Sequence, residues 1–241
     1  GKPAQAVVVN TGIANAGTGE AGMKICRETA AHAAGILGIP AESVLLGSTG
    51  VIGPYLPLDR MNAGISAMAK TLSPSPEAGT DASIAIMTTD TVNKETAVEF
   101  DLPAASGEGT VTVRLGGMSK GSGMIHPNMC TMLGYLSTDC VIRRDLLQKA
   151  LSTVVVDTFN MISVDGDTST NDTLLLMSSG LAENKPIIEE DESYALFCEA
   201  LAVVCRDLAI RMAGDGEGAT HLIETRVIHA DTKENARILA R

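Results

Sequence analysis

The sequence predicts a layered fold of the α/β or α+β class, and two observations support this prediction. Segments with the residue alternation or β-branched content of strands are interspersed with longer segments of helical periodicity. The chain has 241 residues and is 45% apolar, which is enough for a sizeable buried core in one large domain or two modest ones. No internal repeat is evident. We therefore expect sheets and helices packed in layers.

The N-terminal part of the chain alternates predicted strands and helices. A Gly-rich loop over residues 10–19 separates the first strand from a helix that ends near Gly38. The Pro, Ser and Gly content of residues 73–80 predicts a surface loop. The predicted elements are, in order, a strand at 5–9, the helix ending near Gly38, a strand at 43–46, a helix at 58–70, the loop at 73–80 and a strand at 83–87.

The C-terminal part begins with a predicted hairpin and continues with a Gly-rich segment. Strands at 96–102 and 110–115 are joined through residues 104–109, and the run from Gly116 to Asn128 holds glycines and a proline that predict a loop. The elements predicted beyond it are helices at 144–157 and 192–213 around a polar loop, a strand at 221–229, and a helix that starts with a capping box at 231–234.

Composition argues against several classes of partner. The net charge is -11 and aromatic residues make up 2%, so a nucleic-acid-binding surface is not expected. No apolar run approaches the length that crosses a bilayer, and we expect a soluble, cytoplasmic protein without membrane contact. The five cysteines form no CxxC pair and are interpreted as free thiols in a reducing compartment, without a metal site.

Two motifs resemble ligand sites but lack necessary features. Residues 17–22 match the GxGxxG pattern of dinucleotide folds, but residues 10–16 separate them from the preceding strand, where that fold needs a tight turn. Residues 165–172 have the acidic spacing that opens a calcium loop, but Thr170 and Leu176 stand where that loop requires Gly and Glu. Side chains of this kind more readily bond to one another and to the backbone, which predicts a rigid turn.

Thr131 is the strongest candidate for a catalytic residue. A flexible Gly-rich segment at 120–124 precedes it and would let its hydroxyl reach the carbonyl carbon of Cys130. Such an attack converts the amide to an ester, and water then cuts the bond. Thr131 would then carry a free α-amino group that can act as general base for its own hydroxyl. The alternative from the residues alone is a structural threonine in a strand after a loop.

Five segments together resemble one known family. They read KGSGMIHPNMCTML from Lys120, NTGIANAGTGEAG from Asn10, STGVIG from Ser48, MTTDT from Met87 and VDGDTSTNDT from Val164. They closely resemble, in the same order, segments of the bifunctional ornithine acetyltransferase family, the glutamate N-acetyltransferases of the cyclic arginine pathway. The resemblance covers essentially the whole chain and implies a self-processing fold of the N-terminal-nucleophile type.

The resemblance also implies a reaction and its residues. The family moves an acetyl group from N-acetylornithine to glutamate through an acetyl-threonine intermediate, without a cofactor. Thr131 would be the nucleophile, and Thr49 with Gly50 would stabilise the oxyanion. Thr88, Lys120, Thr131 and Glu217 match substrate-binding positions. Lys120 and Glu217 would pair with the carboxylate and the ammonium of the substrate. Without the family pattern, the alternative for both residues is an ordinary charge on the protein surface.

The chain also departs from the family. Cys130 stands where the family usually has Ala, and the family continues beyond Arg241 into a segment whose Asn and Thr complete the substrate site. We expect residues 1–130 to be an N-terminally trimmed α part and residues 131–241 a C-terminally truncated β part. The family's processed halves assemble as a heterotetramer of two α and two β chains. The sequence leaves open whether acetyl-CoA is also a donor.

Two other functions remain open from the sequence. An amidase or aminopeptidase would use the same N-terminal Thr131 and pass the acyl group to water instead of glutamate. A nucleotide-binding module would be built on residues 17–22, with the Thr131 region structural.

Overall fold

The computed structural model describes residues 3–126 and 132–240 and confirms the predicted mixed α/β class. Within that part of the chain, helices and strands alternate through most of the sequence. The polypeptide divides into two compact units, Gly1–Thr88 and Thr89–Arg241. Each unit has a buried apolar cluster of its own.

From residue 3 onward, the first unit contains two small parallel sheets and three α-helices. Strand β1 pairs with β3, and β2 pairs with β4. The elements are β1 (Ala6–Asn10), β2 (Ile13–Ala14), α1 (Gly19–Leu37), β3 (Val44–Ser48), β4 (Val51–Ile52), α2 (Leu58–Met68) and α3 (Pro76–Ala85). Its core joins α1, β3 and α2 through Ala33, Ala34, Val44 and Ile65.

Helix α1 ends where the sequence predicts. Gly38 follows it in the left-handed conformation, with φ of 68°, and its N–H bonds to the carbonyl of Ala34. Only glycine adopts this conformation without a steric cost, so the helix stops there. The predicted first and second strands and the helix beginning at Leu58 are likewise confirmed, with shifts of one or two residues at their ends.

The predictions of a loop at 73–80 and a strand at 83–87 are wrong, because α3 occupies most of both ranges. Ser75 caps this helix by accepting a 3.2 Å hydrogen bond from the Ala78 N–H. Pro76 stands at the first helical position, where its missing N–H costs nothing. The Ser-Pro pair that suggested a loop is therefore a helix start.

The second unit is built on a four-stranded sheet ordered β5-β6-β7-β8. The first two pairs are antiparallel, and β7 pairs with β8 in parallel. The elements are β5 (Lys94–Pro103), β6 (Thr110–Lys120), β7 (Leu133–Thr138), α4 (Arg144–Val154), β8 (Thr173–Ser178), α5 (Glu192–Gly214) and α6 (Lys233–Ala240). The predicted hairpin and the two long helices are confirmed.

The core of the second unit lies between the sheet and α5. This helix packs against β5 and β6, and its buried side chains recur at helical spacing over its whole length. The largest fully buried apolar residues of this core are Leu102, Leu115, Ile125, Met132, Leu136, Phe159, Ile187, Phe197, Leu201 and Leu208. Ile125 and Met132, which flank the undescribed residues 127–131, are thus both firmly packed.

Three further predictions in this unit need correction. The loop predicted from Gly116 is wrong in its first half, because β6 continues to Lys120. Gly117 fits there since a Cβ would meet the Leu136 side chain at 2.4 Å, so the strands approach too closely for any larger residue. Strand β8 was missed within the predicted polar loop. The strand predicted at 221–229 is irregular, and Ile223 is 83% exposed.

The remaining predictions on cysteines and membrane contact concern the described residues. Cys26, Cys140, Cys198 and Cys205 are free thiols there, and the last two pack in or against the core, as the sequence predicts. Burial raises the pKa of Cys205 to about 12, so this thiol is unreactive. None of the helices in residues 3–126 and 132–240 combines the length and apolar character needed to cross a bilayer.

Candidate active site

A buried ion cluster lies at the start of β5. The Lys94 side chain is fully buried, and its ammonium donates to Asp90 Oδ1 at 2.7 Å, to Asp215 Oδ2 at 2.6 Å and to the Val92 carbonyl at 3.2 Å. Three acceptors satisfy the three donors of an ammonium group. A buried charge is tolerated only with such pairing, and Lys94 therefore holds two carboxylates in fixed positions.

The two carboxylates tie Lys94 to other segments. Asp90 Oδ1 also accepts the Gly121 N–H at 2.7 Å, which fixes the backbone just after β6. Asp215 accepts hydrogen bonds from the Thr91 N–H, at 3.0 Å, and from the Thr91 hydroxyl. Partial burial acts to raise the pKa of Asp215, but the bonds from Lys94 and Thr91 outweigh it and hold the pKa below its ordinary value.

Lys120 ends β6 beside this cluster and is only 3% exposed. Its Nζ lies 4.0 Å from Asp90 Oδ2, at the outer limit of an ion pair. Burial lowers the pKa of Lys120, Asp90 opposes that effect, Lys94 lowers the pKa further and Glu217 raises it. Lys120 is thus an almost buried ammonium whose nearest carboxylate is already engaged by Lys94.

Glu217 lies on the loop after α5, next to the Gly-rich segment. Its backbone N–H donates to the Ser122 carbonyl at 2.6 Å. A Cβ on Gly123 would stand 2.7 Å from the Glu217 carboxyl carbon, so the carboxylate lies against Gly123 and a larger residue there would displace it. The structure therefore brings Lys120 and Glu217, two predicted binding residues, to the same segment, one buried and positive and the other exposed and negative.

The Gly-rich segment is held by hydrogen bonds to the acidic loop at residues 165–172, which resembles the start of a calcium loop in sequence. Asp165 accepts the N–H groups of Met124 and Ile125 at 2.5 and 3.0 Å. Met124 has a φ of 55°, which is uncommon for a side chain of this size and is held there by these bonds. The carboxylate is thus committed to the backbone, and the described residues contain no cluster of three or more His, Cys, Asp or Glu side chains able to hold a metal.

Asp172 anchors the chain directly after Thr131. Its Oδ1 accepts the Met132 N–H at 3.0 Å, and the Met132 carbonyl accepts the Thr173 N–H at 3.1 Å. Burial raises the pKa of Asp172 to about 6, against the lowering effect of hydrogen bonds from Met132 and Ser169. A carboxylate whose pKa is raised to about 6 therefore bonds to the backbone N–H of Met132, the residue that follows the predicted nucleophile in the sequence.

Thr49 and Gly50 lie in the first unit, at the turn between β3 and β4. Thr49 is buried, and its N–H donates to the Asn10 carbonyl at 3.1 Å. Gly50 has a φ of 129°, and a Cβ there would lie 2.2 Å from the backbone carbon of Gly12. The turn therefore requires glycine at this position, and it holds the predicted oxyanion-stabilising pair in one fixed backbone conformation.

The other predicted residues have different standing. Thr88 is the last residue of the first unit and is exposed. Cys130 and Thr131, the predicted cleavage site and nucleophile, lie outside the described residues. Lys120 and Glu217 both lie in the second unit, where they are close enough to interact electrostatically.

Residue patterns alone missed four residues that organise this region: Asp90, Lys94, Asp215 and Asp172. Signals for three of them were present, since Asp90 and Asp172 lie inside family-like segments and Asp215 lies two residues before Glu217. Lys94 carries no such signal. Its importance follows from burial and pairing, which sequence spacing does not reveal.

The geometry around GxGxxG does not fit a dinucleotide site. Between β1 and α1 the chain forms the short strand β2, so the loop is not a tight strand-to-helix turn. A Cβ on Gly22 would lie 1.8 Å from the Thr18 hydroxyl and 2.4 Å from Asn15 Oδ1, so protein atoms fill the space at that glycine. Both facts agree with the sequence argument against this motif.

Comparisons with known proteins all lead to one family. A model of the ArgJ family matches residues 1–241. The chain is 52% identical over 237 residues to "Arginine biosynthesis bifunctional protein ArgJ" of Symbiobacterium thermophilum, covering 98% of this chain and 57% of that protein. It is 45% identical over 241 residues to the protein of the same name in Bacillus subtilis, covering 100% and 57%.

Solved structures are also similar in sequence to this chain. The crystal structure of Arginine biosynthesis bifunctional protein argJ from Bacillus halodurans shares 42% identity, aligns with 51% of this chain and 60% of that chain, and gives a TM-score of 0.43. The chain spans 57% of the length of the curated relatives quoted above. The family resemblance that the five segments suggested is confirmed, and the chain belongs to the ArgJ family.

Proposed function

We propose that the protein containing this chain transfers an acetyl group from N2-acetylornithine to glutamate, giving ornithine and N-acetylglutamate. Family membership supports this reaction class. The observation that carries the proposal is that buried Lys120 and exposed Glu217, which influence each other electrostatically, both lie beside the Gly-rich segment. An N-acetylated diamino acid presents one carboxylate and one side-chain ammonium, and this pair offers an opposite charge to each.

The first step in the proposal is self-cleavage. Thr131 Oγ attacks the carbonyl carbon of Cys130, the C–N bond breaks, and the nitrogen of Thr131 takes up the proton. Water then hydrolyses the resulting ester, releasing Cys130 with a free carboxylate and leaving Thr131 with a free amino group. The hydrogen bond from Met132 to Asp172 supports this role, because it fixes the peptide that follows the attacking residue.

Acetyl transfer follows at the same residue. The Thr131 amine accepts the hydroxyl proton, Oγ bonds to the acetyl carbon, and the C–N bond to ornithine breaks as its nitrogen takes that proton. The glutamate amine then attacks the acetyl ester, and Oγ leaves with a proton from that amine. In this proposal Thr49 and Gly50 stabilise the oxyanion of both tetrahedral intermediates, and Thr88 contacts the substrate.

We also propose that cleavage divides the polypeptide into an α chain, which contains residues 1–130, and a β chain, which contains residues 131–241. The two chains remain associated, as a heterotetramer of two α and two β chains. The register of the sheet supports continued association. Strand β6 precedes the cut and β7 follows it, and they pair over six residues from Leu115↔Thr138 to Lys120↔Leu133. The core cluster also draws on residues from both sides of the cut.

A product assay tests the reaction. The protein is incubated with N-acetylornithine, with and without glutamate, and ornithine, N-acetylglutamate and free acetate are measured. N-acetylglutamate as the main product, with ping-pong kinetics, supports the proposal. Acetate released at a rate that glutamate does not change would contradict it and would favour the amidase. A parallel reaction with acetyl-CoA measures use of the second donor.

A further inference from the structure

The cluster around Lys94 forms a closed circuit of contacts that passes beside Lys120 and through the backbone of Glu217. Lys94 bonds to Asp90, and Asp90 bonds to the N–H of Gly121, the neighbour of Lys120. The Ser122 carbonyl then accepts the Glu217 N–H. Asp215, two residues before Glu217, bonds back to Lys94. One buried ammonium therefore joins the end of β6 to the loop after α5.

The distances within the circuit show which of the two lysines, Lys94 or Lys120, forms a close ion pair with Asp90. Lys94 Nζ lies 2.7 Å from Asp90, whereas Lys120 Nζ lies 4.0 Å from the same carboxylate. Attraction between opposite charges weakens with distance, so Asp90 is neutralised mainly by Lys94. Lys120 is consequently kept from a close ion pair with Asp90 while remaining almost buried.

We propose that Lys94 is a positioning residue that sets specificity for the substrate carboxylate. By engaging both Asp90 and Asp215, it leaves the Lys120 ammonium available to a ligand, and it holds Glu217 at a fixed distance from Lys120. Without Lys94, Asp90 draws Lys120 into close contact, and the ligand carboxylate loses its partner. The choice of substrate in this inference rests on the proposed acetyl transfer. The effect of Lys94 on the distance between Lys120 and Asp90 does not depend on that reaction.

The test uses two variants, because removing Lys94 alone strands two buried carboxylates and endangers folding. One is Lys94→Met, and the other combines Lys94→Met with Asp215→Asn. In the double variant Asp90 and Lys120 remain as a balanced pair. Lys149→Met is the matched control, since Lys149 pairs with Glu190 at 2.6 Å but on an exposed surface of the same unit.

The first readout is discrimination between N-acetylornithine and N-acetylputrescine, which lacks the carboxylate. We expect the ratio of their kcat/KM values to fall roughly 10- to 100-fold in both Lys94 variants, mainly through KM for N-acetylornithine, because a hydrogen bond to a charged group is lost. The control should keep the wild-type ratio. General damage to the fold would lower the kcat/KM values of both substrates by the same factor and leave their ratio unchanged. An unchanged ratio in a double variant that is folded would therefore overturn the inference.

The second readout is structural and separates this inference from the proposed reaction. In a crystal structure of the double variant, Lys120 Nζ should move to about 3 Å from Asp90. Lys120 remaining near its present position would overturn the proposed role of Lys94, whatever the enzyme does. A wild-type protein that forms no N-acetylglutamate would instead refute the proposed reaction, and the crystal structure would still decide the role of Lys94.

Discussion

The carboxylate of Asp172 offers a quantitative test of how the region after Thr131 is held. Its pKa stands at about 6 instead of the ordinary 3.8, because burial penalises the ionised form. A folded-state pKa raised above the unfolded value means that the stabilisation is fully present below about pH 3.8 and is lost as the pH rises through about 6. At neutral pH the buried charge of Asp172 therefore costs stability.

The size of this cost follows from the shift. A rise from 3.8 to about 6 corresponds to about 3 kcal/mol between the two protonation states. The side chain is only half-buried, so solvent screening reduces the expected cost to about 1–2 kcal/mol. Asp172→Asn removes the charge but keeps an oxygen that can accept the Met132 N–H, so it should remove this pH dependence while preserving the anchor.

Urea unfolding at pH 5 and pH 7.5 measures the effect. We expect the stability of Asp172→Asn relative to wild type to increase by about 1 kcal/mol between the two pH values. Asp167→Asn, which alters an exposed carboxylate of the same loop, is the control and should show no such change. Equal pH dependence in the wild type and the Asp172 variant would refute the reasoning.

Three further predictions concern cleavage, catalysis and the turn after β3. Thr131→Ala should leave a single uncleaved chain on a denaturing gel, whereas Thr131→Ser should retain some cleavage because the hydroxyl persists; a split Ala variant would exclude Thr131 as the processing nucleophile. Thr49→Ala should lower kcat roughly 100-fold or more, and an effect on KM alone would remove Thr49 from the oxyanion site. Gly50→Ala should lower the melting temperature more than Gly53→Ala. Both glycines have positive φ, but only at Gly50 would a Cβ collide with backbone, at 2.2 Å from the Gly12 carbon. Equal losses of melting temperature would show that backbone strain, and not this collision, dominates.

The sequence predicted those elements whose signals are local. Helix α1 is followed by Gly38, which ends it in the left-handed conformation, and the β5–β6 hairpin has alternating residues around a turn. The prediction of a loop in place of α3 was wrong because Ser75 and Pro76 are compatible with both a loop and a helix start. The strand predicted at 221–229 failed because a β-branched segment forms a strand only where a neighbouring strand accepts its hydrogen bonds.

The candidate site divides in the same way. The family resemblance identified Lys120 and Glu217, which the structure brings together. Lys94 could not be predicted, because its partners Asp90 and Asp215 come from distant parts of the sequence and meet only when the second unit folds. Its burial is a property of the packed protein, and a lysine is ordinarily expected at the surface.

Intact-mass measurement of the protein during turnover tests the proposed acetyl-threonine intermediate most directly. After incubation with N-acetylornithine alone, we expect two fragments, with the second beginning at Thr131 and carrying one acetyl group on that residue. Adding glutamate should remove the acetyl group and release N-acetylglutamate. A single uncleaved chain, or an acetyl group located on any other residue, would contradict the account.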